Sequence, residues 1–219
     1  MESPYRFNPM PLGTHTLLVA EIPEHSRVLE IGAATGYMGG WLAAEKNCAV
    51  WGVEPVKEWH DEALGRGYEK ILNMDADAFL RSEMPPEKFD RLLLADVLEH
   101  MPDPAQTLAK LRACLKPDGR TVISLPNVAH YGVRFALMRG KWDMADAGIM
   151  DRTHLHFYTE KTAKEMIEGA GFRIEKIRGT DGHLEAKKLF GIPYGKTLLE
   201  TWPNLFAPQF IFVAKPAEK

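Results

Sequence analysis

Cysteine is nearly absent from this 219-residue chain. The two that occur, Cys48 and Cys114, lie far apart, each in or beside an apolar segment. They form no disulfide framework and no metal-ligand spacing, and are expected as reduced, buried thiols. A dominant charge is lacking too. Lysine and arginine number 27 against 30 acids, a formal net charge of −3. That leaves no electrostatic case for nucleic acid or an anionic membrane as a partner. No apolar run approaches the ~18 residues of a membrane helix; Leu92-Leu93-Leu94 is stopped by Asp96. Met1 to Met10 holds no apolar signal core, so a cytoplasmic location is expected. Internal repeats, low-complexity tracts and a domain linker are also missing. With 45% apolar residues, the chain reads as one domain with a substantial core.

What is present is alternation. Apolar, β-branched runs predict strands at 27–31, 49–53, 68–72, 88–95, 120–125, 172–177 and 210–214. Helical spacing predicts helices at 14–21, 37–46, 56–64, 104–115, 128–139 and 159–170. The prolines of 3–11 and the Gly- and Asp-containing stretch 140–151 predict irregular chain, and Lys116-Pro117-Asp118-Gly119 a turn. Residues 182–203 read as mixed, with helical character at 185–190. Strands alternating with helices imply βαβ units and a mostly parallel sheet. Ligands of such sheets sit beyond the carboxyl ends of the strands.

The stretch around which the chain is organised is Arg27-Val28-Leu29-Glu30-Ile31-Gly32-Ala33-Ala34-Thr35-Gly36-Tyr37. It reads as a buried strand, a small-residue turn and a helix start. Small side chains let backbone approach a ligand, and the helix start presents free N–H groups. With Glu30 two residues before Gly32, the stretch resembles the first motif of class I S-adenosylmethionine-dependent methyltransferases, with Ala34 in place of the middle glycine. It does not supply the G-x-G-x-x-G of dinucleotide enzymes, which disfavours a nicotinamide-dependent oxidoreductase. Glu54 closes the second strand, where a carboxylate can accept both ribose hydroxyls. Asp75 follows the third strand and suits the adenine amino group, with the Ala76 N–H for a ring nitrogen. Asp77 competes for that role, and either acid could instead cap a helix. Asp96-Val97-Leu98-Glu99-His100-Met101-Pro102-Asp103-Pro104 then resembles the D-V-L-E-H-x-x-D-P segment of small-molecule methyltransferases.

These elements stand in the family's order from Val28 to Leu125. The resemblance implies an α/β, Rossmann-like fold with a mostly parallel seven-stranded sheet and helices on both faces. It implies S-adenosylmethionine as cofactor, with S-adenosylhomocysteine as product. Its binding set would be Glu30, Gly32, Ala33, Ala34, Gly36, Tyr37, Glu54, Pro55, Asp75, Ala76, Ala95 and Asp96. The single domain then divides into an N-terminal segment (1–26), a cofactor-binding core (27–125) and a substrate-side half (126–219). An insertion at 179–207 would act as a lid, a dimer contact or both.

The second half carries Ser124-Leu125-Pro126-Asn127-Val128-Ala129-His130-Tyr131, then Asp151-Arg152-Thr153-His154-Leu155-His156-Phe157-Tyr158-Thr159, then 205–214. This combination resembles bacterial methyltransferases found among genes for surface polysaccharide and glycoconjugate synthesis. It is also similar to methyltransferase-like proteins associated with methionine biosynthesis. Asn127 and His130 follow the fifth strand and are expected at the pocket mouth. Asn127, Tyr131, Asp151, Arg152 and His156 are the substrate-binding candidates. If 151–156 is extended, His154 and His156 share a side. Two histidines and a carboxylate could hold a metal; a structural polar network is preferred, and no metal ion is expected. His154 is the first candidate base, with His100 and His130 as alternatives. Trp142, Phe157 and Tyr158 read as core before they read as a substrate wall. The expected reaction is methyl transfer to an oxygen, less readily a nitrogen, of a small molecule or sugar-containing intermediate. A monomer or homodimer is expected. The competing reading is a non-catalytic cofactor-binding module that regulates a partner enzyme.

Overall fold

Leu92, Leu93 and Leu94 show how the sequence builds two core faces. Leu92 and Leu94 enter one apolar cluster with Leu29, Ile31, Ile123, Phe210 and Phe212. Leu93 enters the other with Val28, Val50, Val122 and Ile211. Side chains alternate across a strand, so an unbroken apolar run is what a strand buried on both faces requires. The computed structural model describes residues 6–82, 87–180, 188–189, 192–193 and 195–218.

The elements run α1 (Thr14–Ala20), β1 (Arg27–Ile31), α2 (Tyr37–Lys46), β2 (Ala49–Val53), α3 (Lys57–Ala63), β3 (Lys70–Leu72), α4 (Ala76–Arg81), β4 (Phe89–Ala95), α5 (Pro104–Leu111) and β5 (Leu115–Pro126). Then follow α6 (Tyr131–Met138), α7 (Glu160–Gly169), β6 (Phe172–Gly179), β7 (Lys188–Leu189), β8 (Ile192–Pro193), α8 (Gly195–Thr201), α9 (Pro203–Phe206) and β9 (Gln209–Pro216). Seven strands form one sheet in the order β3-β2-β1-β4-β5-β9-β6. β1 to β5 pair in parallel, and β9 lies antiparallel between β5 and β6. This is the expected Rossmann-like arrangement. Helix residues Leu17, Leu18, Met38 and Leu42 cover one face; Phe79, Leu108, Leu111, Ala163 and Ile167 cover the other.

Chain order reverses between β1 and β4, so a crevice opens beyond their carboxyl ends. The turns after β1, β2 and β4 border it. Their backbones require unusual angles: φ is +74° at Gly32, +46° at Ala34, +76° at Gly36 and +52° at Asp96.

Three expectations change. Asp75 takes the cap alternative: it caps α4, a helix that the helical spacing does not predict, by accepting from the Ala78 N–H at 2.7 Å. The turn 116–119 lies inside β5 as a bulge: Leu115 pairs with Phe89, and Arg120 is already opposite Arg91. Of the helical stretch expected at 185–190, Lys188 and Leu189 instead pair with β8, and the rest lies outside the described residues. Among the described residues no helix is long and apolar enough to cross a membrane. Cys48 and Cys114 are free and buried.

Candidate active site

The turn after β1 is tied to the end of β2. The Gly32 and Ala33 N–H groups both donate to the Val53 carbonyl. Glu54 holds the other side: Oε2 accepts from the Ala34 N–H at 2.7 Å and Oε1 from the Val56 N–H at 2.8 Å. Only 3% of Glu54 is exposed. Burial raises its pKa, opposed by those two hydrogen bonds. Each oxygen keeps a second lone pair, the acceptor set a ribose diol needs.

Glu30 is placed differently from Glu54. It is buried, and its Oε2 accepts from the Tyr68 hydroxyl at 2.5 Å. Burial pushes its pKa up to about 8, against the stabilising bonds from Tyr68 and the Gly39 N–H. A Cβ at Gly39 would stand 2.3 Å from the Tyr68 hydroxyl oxygen, so this helical position has no room for a side chain. Glu30 therefore acts on the turn from behind, through helix α2. Tyr68, unremarked in the sequence, is its partner.

A cavity of about 360 Å³ lies in the crevice, within the roughly 300–1,000 Å³ of small-molecule sites. Ile31, Val53, Val97 and Met101 give it apolar walls, and Gly32, Pro55, Asp75, Ala76, Asp77 and His100 also line it. Apolar walls with carboxylates among the lining fit a nucleoside: a flat base between aliphatic groups, its amino and hydroxyl hydrogens on acids. Of the expected cofactor set, Gly32, Pro55, Asp75 and Ala76 face this space directly.

A second cavity, about 590 Å³, adjoins it, and His100 lines both. Its wall includes Asp96, Glu99, His100, Asp151, Thr153, His154 and Gln209. Asp96 Oδ1 accepts from Ser124 Oγ at 2.6 Å and Gln209 Nε2 at 2.9 Å. Asp96 thus belongs to this second space, while Ala95, paired with Ser124, ends β4 beside it. Asp151 Oδ1 accepts from the Thr153 N–H and hydroxyl, which lower its pKa against partial burial. The His100 and His154 rings meet edge to face, centroids 4.8 Å apart. Burial and the nearby His100 lower the pKa of His154.

Glu99 is the group the sequence reading left without a role. It is fully buried, and neither carboxylate oxygen has a hydrogen-bond partner among the described residues. Burial, then repulsion from Asp96, holds its pKa well above the carboxylate range. Its backbone carbonyl accepts from the Leu155 and His156 N–H groups, fastening the 153–156 loop over the turn after β4.

Other candidates have different surroundings. Asn127 is fully buried rather than at the pocket mouth. Its Nδ2 donates to the Asn204 and Ala207 carbonyls and its Oδ1 accepts from the Ala129 N–H, so its amide is spent on backbone groups. His130 caps α6, accepting from the Gly132 N–H, and packs on Tyr131, itself half-exposed against Phe206. Burial lowers the His130 pKa. Arg152 pairs with Asp146 at 2.7 Å in solvent. His154 and His156 do not share a surface: His156 Nε2 meets the Pro102 carbonyl at 3.3 Å, because 151–156 turns instead of extending. Tyr37 packs against His15. Trp142 is half-exposed against Phe157, whereas Tyr158 is core.

Comparison with known proteins agrees with this geometry. A family profile described as "Methyltransferase domain" matches residues 5–177. The ubiquinone biosynthesis O-methyltransferase of Aeromonas salmonicida is 26% identical over 158 residues, 70% of this chain and 65% of that protein. The enzyme of the same name from Xylella fastidiosa is 32% identical, over 70% of this chain and 63% of that protein. The match thus spans less than two thirds of these curated relatives. A SAM-dependent methyltransferase from Archaeoglobus fulgidus has the same fold, with a TM-score of 0.64 at 21% identity, covering 92% of each chain.

Proposed function

Because the chain belongs to the methyltransferase domain family, with the class I S-adenosylmethionine-dependent fold, we propose that it transfers a methyl group to an oxygen of a small molecule or sugar-containing intermediate. One observation carries this reading: a cavity suited to a nucleoside and a cavity lined by imidazoles and acids meet at His100. When bound, S-adenosylmethionine supplies a methyl on a sulfonium, already activated for in-line displacement, and S-adenosylhomocysteine leaves.

The chain's own part is positioning and exclusion of water. The Gly32–Gly36 turn lets backbone come close to the cofactor. Glu54 takes the ribose hydroxyls, and Asp75 with the Ala76 N–H takes the adenine edge. Glu30 and Tyr68 stiffen the turn from within. The acceptor enters the second cavity, with Asp151 at its wall and His154 and His100 facing the hydroxyl that must lose its proton. The O-methyltransferase names of the curated relatives support oxygen over nitrogen.

The test is methyl transfer from labelled cofactor to pooled phenols, sugars and amines. Labelled ether products are expected. Tight cofactor binding with no product from any pool would sink the enzyme reading in favour of a binding module.

A further inference from the structure

We propose that Glu99, His100 and His154 hold a divalent metal ion in the acceptor cavity. One ligand atom from each lies within 4.8 Å of the others. The segments that bring them together are distant in sequence, the turn after β4 and the loop before α7.

The two histidines are already set as ligands. His100 Nδ1 faces the Thr153 carbonyl at 3.2 Å, and His154 Nδ1 faces the Ile149 carbonyl at 3.3 Å. A carbonyl accepts only, and the Thr153 hydroxyl, 3.1 Å from His100 Nδ1, already donates to Asp151, so each Nδ1 carries the proton and each Nε2 keeps its lone pair. Metal-bound imidazoles are held in this way, by a backbone acceptor on the far nitrogen. His154 Nε2 lies 4.0 Å from Glu99 Oε1. That is too long for a hydrogen bond, and near the separation of two ligands on one ion, about 3.4 Å for bonds of about 2.1 Å.

Glu99 is the second, independent observation. A carboxylate this buried is costly unless paired with a cation or hydrogen-bonded. Both its oxygens lack a hydrogen-bond partner among the described residues, and the residue lines the cavity. Arg152 does not meet the need; its guanidinium is in solvent with Asp146. Two imidazoles and one carboxylate suit zinc, manganese or iron(II), and leave coordination positions open to the cavity.

This deepens the methyltransferase reading and rests on it. Held there, the ion sits beside the cofactor cleft, because His100 lines both spaces. An acceptor hydroxyl bound to it loses its proton more readily, and that proton passes to solvent water. The oxygen–methyl bond forms as the sulfur–methyl bond breaks, and the bonding pair stays on sulfur as a neutral thioether. His154 and His100 act as ligands to the ion, so no side chain has to accept the proton.

The test uses the full chain, stripped with a chelator and dialysed, then titrated calorimetrically with zinc and with manganese. Binding of one equivalent and a raised melting temperature are expected. Cobalt(II) should give a visible spectrum of a nitrogen- and oxygen-ligated ion. Glu99→Gln and His154→Asn should each weaken binding at least about tenfold, while His25→Asn, on an exposed turn, leaves it unchanged. Both site variants should still melt cooperatively, and Glu99→Gln keeps the shape of a buried side chain whose carboxyl oxygens have no hydrogen-bond partner to lose among the described residues, so loss of fold does not mask the result. No saturable binding by the wild-type chain, or unchanged affinity in both variants, overturns the proposal. S-adenosylmethionine is titrated in parallel. If it binds and the metals do not, the metal site alone fails. If it does not bind, the methyltransferase reading fails, and the metal titration stands separately.

Discussion

The Tyr68 hydroxyl donates to Glu30 Oε2 at 2.5 Å inside the packing of β1 against α2. Neither residue lines the cavity of about 360 Å³ in the crevice. The acid that precedes the glycine turn is held in a slot that Gly39 leaves open. The turn is therefore backed by a buried carboxyl whose pKa burial raises to about 8.

Stability should fall with rising pH because of Glu30. Its folded pKa, about 8, lies above the ordinary 4.5. Between these values the folded chain keeps a proton that the unfolded chain releases, so the contribution is full at low pH and lost as pH rises through about 8. Buried Glu54 and Glu99 shift the same way. Glu30→Gln should flatten part of this slope in urea unfolding from about pH 5 to about pH 9. An unchanged slope would mean that Glu30 titrates normally.

Glu54→Ala should act twice. It removes the carboxylate assigned to the ribose, so calorimetric affinity for S-adenosylmethionine should drop. It also strips the acceptor from the Ala34 and Val56 N–H groups, at about 1–3 kcal/mol of stability. Unchanged affinity in a destabilised variant would remove the ribose role and keep the structural one.

Ala34 sits at φ +46° where the family motif has glycine. Left-handed backbone costs a side chain roughly 1–2 kcal/mol, partly offset by the greater unfolded-state freedom of glycine. Ala34→Gly should raise stability by up to about 1 kcal/mol. A lower urea midpoint would show that the methyl group packs better than the turn is strained.

Asn127→Ala should lower stability by about 1–3 kcal/mol, because the carbonyls of Asn204 and Ala207 lose their donor. The acceptor KM of the folded variant should not move. A raised KM at unchanged melting temperature would return Asn127 to the substrate.

Two of the histidines named as candidate bases, His154 and His130, should separate in kcat. His154→Asn is expected to lower it about a hundredfold at unchanged cofactor affinity. His130→Asn keeps a helix cap and should stay active, because His130 lines neither of the two site cavities. Equal losses in both would contradict the placement of the acceptor cavity.

The strands, the glycine turn and the segment from Asp96 to Pro104 were legible in the sequence because each is a local pattern: side-chain alternation, small residues at a turn, a cap followed by proline. Helix α4 was legible only as a cap alternative at Asp75 or Asp77, because either acid suits a ligand as well as a cap. The bulge at 116–119 passed for a free turn because its four residues carry turn chemistry while the strand continues around them. Which polar groups meet was decided only by tertiary structure. Glu99 becomes a buried, unpaired carboxylate because the Leu155 and His156 N–H groups bind its carbonyl and close the loop above it. Asn127 is drawn inward by carbonyls near the far end of the chain. Contacts between distant segments depend on how loops close, and no local period encodes that closure. The sequence by itself determined the sheet and the cofactor turn. The tertiary structure decided that Glu99, rather than His156, joins His100 and His154.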